Sequence, residues 1–122
     1  MDLHRSGEDY LETVLILQKK NGFVRSSDVA NYLNVTRPSV SRAIRLLKDG
    51  GFLVMNGDKS LALTEVGRDT AERVYERHCV LMDSLISLGV DPEIAELDAC
   101  RIEHIISAES FEKIKRFRIL QA

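Results

Sequence analysis

The chain has 122 residues, 44% hydrophobic and 30% charged, a composition that suits one folded domain or two very small units sharing a core. With no apolar run long enough for a membrane span, no secretory signal and no low-complexity tract, a membrane-spanning or extensively disordered class is excluded; the expected setting is the reducing cytoplasm, with Cys79 and Cys100 as thiols. The net charge of -2 is uneven: residues 1–64 carry +2, residues 65–122 carry -4, and the stretch from Arg25 to Lys48 holds five basic residues against Asp28 alone, so a nucleic-acid footprint on one face is compatible with a weakly acidic whole.

In chain order, the apolar spacing predicts a helix from about Glu8 to Lys20, stopped at Asn21-Gly22. Ser26 or Ser27 is expected to cap a short helix through Tyr32, and Asn34-Val35 reads as a turn. Thr36 caps the next helix, with Pro38 in its first turn and Val40, Ile44 and Leu47 inward, until Gly50-Gly51. Phe52-Leu53-Val54 and Leu61-Ala62-Leu63 flank Asn56-Gly57-Asp58-Lys59, a hairpin signal because Asn and Gly accept positive φ. A long helix follows from Thr64 to about Ser87, ended by Gly89. Asp91-Pro92 opens another, read as Pro92 to Ile106, and Ser107 caps a last one from about Glu109 to Ile119.

Helix, short helix, turn, helix and hairpin in this order describe a winged helix-turn-helix. Arg37, Ser39, Ser41, Arg42 and Arg45 flank the apolar stripe of the third helix: arginine can grip guanine bidentately, and serine hydroxyls and the helix N-terminus, with Thr36 and Pro38, suit phosphates. Arg25, at the head of the basic stretch, and Asn56 and Lys59 on the wing complete the expected DNA-contacting set. A solvated helix also alternates Arg and Ser; the turn, caps and hairpin in sequence tip the reading to DNA.

The acidic half raises a different chemistry. On the helix read from Pro92, Cys100, Glu103 and His104 fall at i, i+3 and i+4, beside an apolar sector of Ile94, Leu97, Ile102, Ile105 and Ile106. Thiol, carboxylate and imidazole together are a transition-metal donor mixture. Cys100 alone fits packing as well as ligation, and Cys79 fits packing. Asp9 and Glu12 alone would be a solvated face, His4 an N-terminal lead-in residue, and spacing does not place the acidic pair or His78 with the triad.

Gly7-Glu8-Asp9-Tyr10-Leu11-Glu12, the segment Val35-Thr36-Arg37-Pro38-Ser39-Val40-Ser41, Leu63-Thr64 to Gly67, Tyr75-Glu76-Arg77-His78 and Asp98-Ala99-Cys100-Arg101-Ile102-Glu103-His104 together make the chain resemble the metal-dependent repressor family of the diphtheria toxin repressor and, in length, the manganese transport regulators. The resemblance implies a mainly α fold: a winged helix-turn-helix DNA-binding domain over residues 1–64, then an all-helical dimerisation and metal-binding domain over residues 65–122. It implies Asp9, Glu12, His78, Cys100, Glu103 and His104 as metal ligands, and a homodimer whose metal-loaded form holds double-stranded operator DNA. It implies no enzymatic activity, small-molecule substrate or membrane partner.

The set is a hybrid. Manganese regulators usually carry glutamate where this chain has Cys100, and the iron-type repressors commonly carry methionine where it has Asp9. The expected cofactor is a divalent transition metal, Mn(II) or Fe(II) foremost, with Zn(II), Co(II) or Ni(II) also suited to a thiolate. The alternative is a winged-helix regulator answering to an organic ligand or a protein partner, with these side chains making structural hydrogen bonds.

Overall fold

Helix α1 (Arg5–Asn21) buries Tyr10, Leu11, Val14, Leu15 and Leu17, carries Glu8 in its first turn and Lys19 and Lys20 in its last, as the helix dipole favours, and gives way to Gly22 at φ 88°. This is a computed structural model and describes residues 5–121, so His4 lies outside it. The helix begins three residues before the predicted Glu8.

Helix α2 (Ser26–Leu33) differs from expectation at its start. Arg25 is the capping residue and both serines lie inside the helix, because the Asp28 carboxylate accepts the Arg25 backbone N–H at 2.9 Å and thereby satisfies the first turn. Asn34 closes α2 in the left-handed region, φ 56°, and makes the expected turn. Helix α3 (Arg37–Asp49) has the predicted cap, Thr36 Oγ1 accepting the Ser39 N–H at 3.3 Å, and the predicted buried stripe of Val40, Ile44 and Leu47.

Strands β1 (Leu53–Met55) and β2 (Leu61–Leu63) pair antiparallel, Leu53 opposite Leu63 and Met55 opposite Leu61. Phe52, expected in the first strand, precedes it with its side chain buried. Beyond their own ladder the strands are tied down: the Leu61 N–H donates to the Val24 carbonyl at 2.7 Å, and the Thr64 hydroxyl to that of Gly51 at 2.6 Å. The wing is therefore fastened at its base to the segment between α1 and α2. Leu11, Leu15, Val24, Val29, Val40, Leu53 and Leu61 form the core beneath it, each nearly sealed from water and contributing roughly 1.5–3 kcal/mol.

Helix α4 (Glu65–Ser87) opens against this core. A Cβ on Gly67 would lie 2.0 Å from the Phe52 carbonyl oxygen, so only glycine permits this approach of helix to backbone. The chain divides into two compact units within α4, the first ending at Glu72 and the second beginning at Arg73.

The second unit contains the rest of α4, helix α5 (Pro92–Ile102) and helix α6 (Ala108–Gln121). Asp91 caps α5 by accepting the Glu93 N–H at 3.1 Å, with Pro92 in the first turn. The helix was expected to reach Ile106, and it stops at Ile102. The His104 and Ile105 N–H groups turn back to Arg101 and Ile102, three residues behind, and the Ser107 hydroxyl accepts the Ser110 N–H at 3.1 Å to start α6 afresh.

The expected inward sector is also corrected. Ala95, Ala99 and Glu103 are buried, whereas Ile94, Leu97 and Ile105 are 53%, 61% and 76% exposed. The buried positions of α5 are thus two methyl side chains and a carboxylate that finds polar partners, which a wheel of apolar residues cannot register.

Candidate metal centre and nucleic-acid interface

His78 on α4, Cys100 on α5 and Glu103 in the turn after α5 converge: donor atoms of all three lie within 4.8 Å of one another. His78 Nδ1 is 3.1 Å from Glu103 Oε2 and 3.6 Å from Cys100 Sγ, and His104 Nε2 is 3.3 Å from the other Glu103 oxygen. Glu103 is the pivot, only 1% exposed, with an imidazole at each carboxylate oxygen. Glu103 is the C-terminal cap of α5, its N–H still donating to the Ala99 carbonyl at 3.0 Å as the helical spacing predicts, and His104 approaches from the turn that follows.

The electrostatics follow from this crowding. The Cys100 sulfur and then the Glu103 carboxylate hold the His78 imidazole in its charged form, raising its pKa from 6.5 to about 11 against the opposing pull of burial. The Cys100 sulfur, the Glu103 carboxylate and the His78 imidazole, with donor atoms within 4.8 Å of one another, fit a divalent transition cation once His78 has lost its proton, and the His104 imidazole stands at the other Glu103 oxygen. Asp9 and Glu12 stand one turn apart on α1 in the first unit, Asp9 half-buried and Glu12 buried.

Sequence reasoning gave no role to Arg77. Its Nη1 donates to the carbonyls of Ile106 at 2.9 Å and Glu103 at 3.3 Å, and its guanidinium lies over the Phe111 ring, 5.4 Å from the centroid. The only signal in the sequence was its position next to His78, since the turn it grips was read as helix.

In the first unit, Arg37, Pro38, Ser41, Arg42 and Arg45 are exposed on α3, clear of the buried stripe. Thr36 and Ser39 at the head of α3 are engaged with each other, the Thr36 hydroxyl donating to Ser39 Oγ at 2.8 Å, which fixes both hydroxyls at the helix N-terminus. Arg25 is exposed and stacks over Phe23, 5.6 Å from the ring centroid. Asn56 and Lys59 are exposed on the wing, and Lys59 takes φ 68°. The turn between them is locked by Asp58, whose carboxylate accepts the Ser60 hydroxyl at 2.6 Å and the Ser60 N–H at 2.9 Å; these bonds hold the carboxyl below its usual range.

Comparison with known proteins joins these two features. Residues 2–61 match the family model described as iron dependent repressor, N-terminal DNA binding domain, and residues 64–118 match the iron dependent repressor, metal binding and dimerisation domain. The transcriptional regulator MntR of Escherichia coli is 34% identical over 110 residues, covering 90% of this chain and 71% of the relative. The HTH-type transcriptional regulator MntR of Lysinibacillus sphaericus is 35% identical over 109 residues, covering 89% and 78%. Among solved structures, a manganese-dependent transcriptional repressor in complex with manganese superposes with a TM-score of 0.83 at 25% identity, over 92% of this chain and 52% of that one, so the chain spans about half of that structure's length. No helix among the described residues is long and apolar enough to cross a membrane. A winged DNA-reading unit followed by a helical unit with converging metal donors, matched across nearly its whole length, makes this chain a member of the iron-dependent repressor family, whose members are metal-dependent DNA-binding transcriptional regulators and not enzymes.

Proposed function

We propose that the protein is a cytoplasmic, homodimeric repressor that controls divalent-metal homeostasis, binding double-stranded operator DNA when its metal site is filled. The observation that carries this reading is the convergence of His78, Cys100 and Glu103, with His104 at the other Glu103 oxygen, in a chain whose α3 presents a row of exposed arginines. The functional division lies at residue 64, with DNA binding before it and dimerisation and metal binding after it. Asp9 and Glu12 complete the ligand set, a reading that rests on the likeness to the family.

When bound, a divalent cation supplies the positive charge that allows Cys100, Glu103 and the acidic pair of α1 to be ligands together without mutual repulsion. His78 contributes a neutral imidazole, which requires its proton to leave. Arg37, Arg42 and Arg45 reach base edges and phosphates in the major groove; Thr36, Pro38, Ser39 and Ser41 bring the N-terminus of α3 to the backbone; Arg25, Asn56 and Lys59 hold flanking phosphates. In a dimer the two copies of α3 address half-sites about 34–36 Å apart, one helical turn, or a multiple of it.

Mn(II) or an Fe(II)-like ion is the proposed effector. The relatives named MntR favour manganese, and the Cys100 thiolate favours softer ions such as Fe(II), Zn(II), Co(II) or Ni(II). Fluorescence-anisotropy titration of a promoter fragment, with metal and with chelator, tests the proposal; affinity at least tenfold tighter with metal is expected. Equal affinity in both conditions would overturn it and would favour a winged-helix regulator answering to an organic ligand or a partner protein.

A further inference from the structure

The turn that follows α5 carries His104 directly after the cap residue Glu103, which is 1% exposed, and the carbonyls left unpaired where a helix ends need partners from outside it. Within the turn, the Ile102 carbonyl accepts the Ile105 and Ile106 N–H groups, and that of Arg101 accepts the His104 N–H. The carbonyls of Glu103 and Ile106 both receive the Arg77 guanidinium, through the one nitrogen Nη1. Phe111, buried in the first turns of α6, lies under that guanidinium and fixes its direction.

Arg77 directly precedes His78 on α4. Glu103 is thus held from α4 at two points, its carboxylate by His78 and its carbonyl by Arg77. A carbonyl gripped in place orients the peptide plane between Glu103 and His104, and with it the directions in which both side chains leave the backbone; His104 Nε2 faces the Glu103 carboxylate at 3.3 Å.

We propose that Arg77 is a positioning residue of the metal centre: by clamping the 103–106 turn it sets the convergence of the Glu103 and His104 donors, and so sets metal affinity and coordination geometry without itself touching the ion. This rests on the metal-site reading above. Supporting groups behind first ligands are commonly worth 10–100-fold in metal affinity, and the same range is expected here.

The test uses Co(II), whose visible spectrum reports both the thiolate bond and the geometry around the ion, added to the full chain. Wild type should bind Co(II) with a charge-transfer band from Cys100 and a defined ligand-field spectrum. Arg77→Met should bind 10–100-fold more weakly, keep the thiolate band at saturation and show an altered ligand-field pattern. Arg77→Lys, which can donate to the carbonyls but has a shorter stem and no planar face for Phe111, should recover part of the affinity. Lys115→Met, which removes the 3.0 Å ion pair to Glu76 between the same two helices, α4 and α6, should leave both readouts unchanged.

Wild-type affinity and spectrum in Arg77→Met, or a loss no greater than that of Lys115→Met, would overturn the proposal. If Arg77→Met does not fold, Arg77→Lys decides alone: several-fold weaker binding with a changed ligand-field spectrum supports it, and wild-type behaviour overturns it. Failure of the wild type to bind Co(II) at all would instead overturn the metal-site reading beneath it.

Discussion

At the scale of single residues, Cys100 and His78 give the metal centre its individual chemistry. A thiolate contributes one soft donor where a carboxylate could chelate or bridge, so Cys100→Glu should shift preference toward Mn(II). Competitive titration of Mn(II) against Zn(II) should show the ratio of affinities moving at least tenfold; an unchanged ratio would remove Cys100 from the selectivity argument. His78, with its pKa near 11, carries a proton at neutral pH before metal arrives and must release it on ligation. Because its folded-state pKa is raised, protons compete with metal throughout the range below about 11, and affinity should rise with pH by up to about tenfold per unit for each proton displaced. Calorimetry of metal binding in buffers of different ionisation enthalpy should count at least one proton released, falling by about one in His78→Ala.

Among the elements, the close approach of α4 to the loop before β1 is the tightest constraint. Gly67→Ala would drive a methyl group against the Phe52 carbonyl, which belongs to rigid backbone, and should cost about 1–3 kcal/mol, or more if the helix cannot shift. Urea denaturation should show the lowered midpoint, and a wild-type midpoint would refute the clash. The sequence announced most such elements through local chemistry: Thr36 and Pro38 at α3, Asp91 and Pro92 at α5, and Ser107 at α6 all work where they were read. It misplaced the end of α5, because nothing local between Arg101 and Ser107 breaks a helix. The carbonyls of Glu103 and Ile106 beyond that break are met by Arg77, a donor distant in sequence. The six proposed ligands were legible as residue types. Spacing did not bring His78 to Cys100 and Glu103, because they lie on different helices more than twenty residues apart; only the family resemblance implied that grouping.

For the molecule as a whole, the apolar residues left exposed on the second unit, Ile86, Leu88, Ile94 and Leu97 among them, are the side chains that a dimerisation domain would cover. Leu97→Glu should therefore weaken self-association, and sedimentation velocity at micromolar concentration should show a shift from dimer toward monomer with secondary structure retained; an unaltered dimer would place the interface elsewhere. Paired operator half-sites would then be bound independently, with the loss of affinity that follows when two contacts are no longer linked. The wing turn has a bearing on that affinity. Asp58 and Ser60 lock the loop, and the Leu61 N–H bond to Val24 anchors its base, so Asn56 and Lys59 are carried on backbone that is already ordered in the free protein. Most of the conformational entropy of presenting them is thus lost during folding, so if they contact phosphates as proposed, the ordering of the loop adds little to the cost of binding beyond the freezing of the lysine side chain.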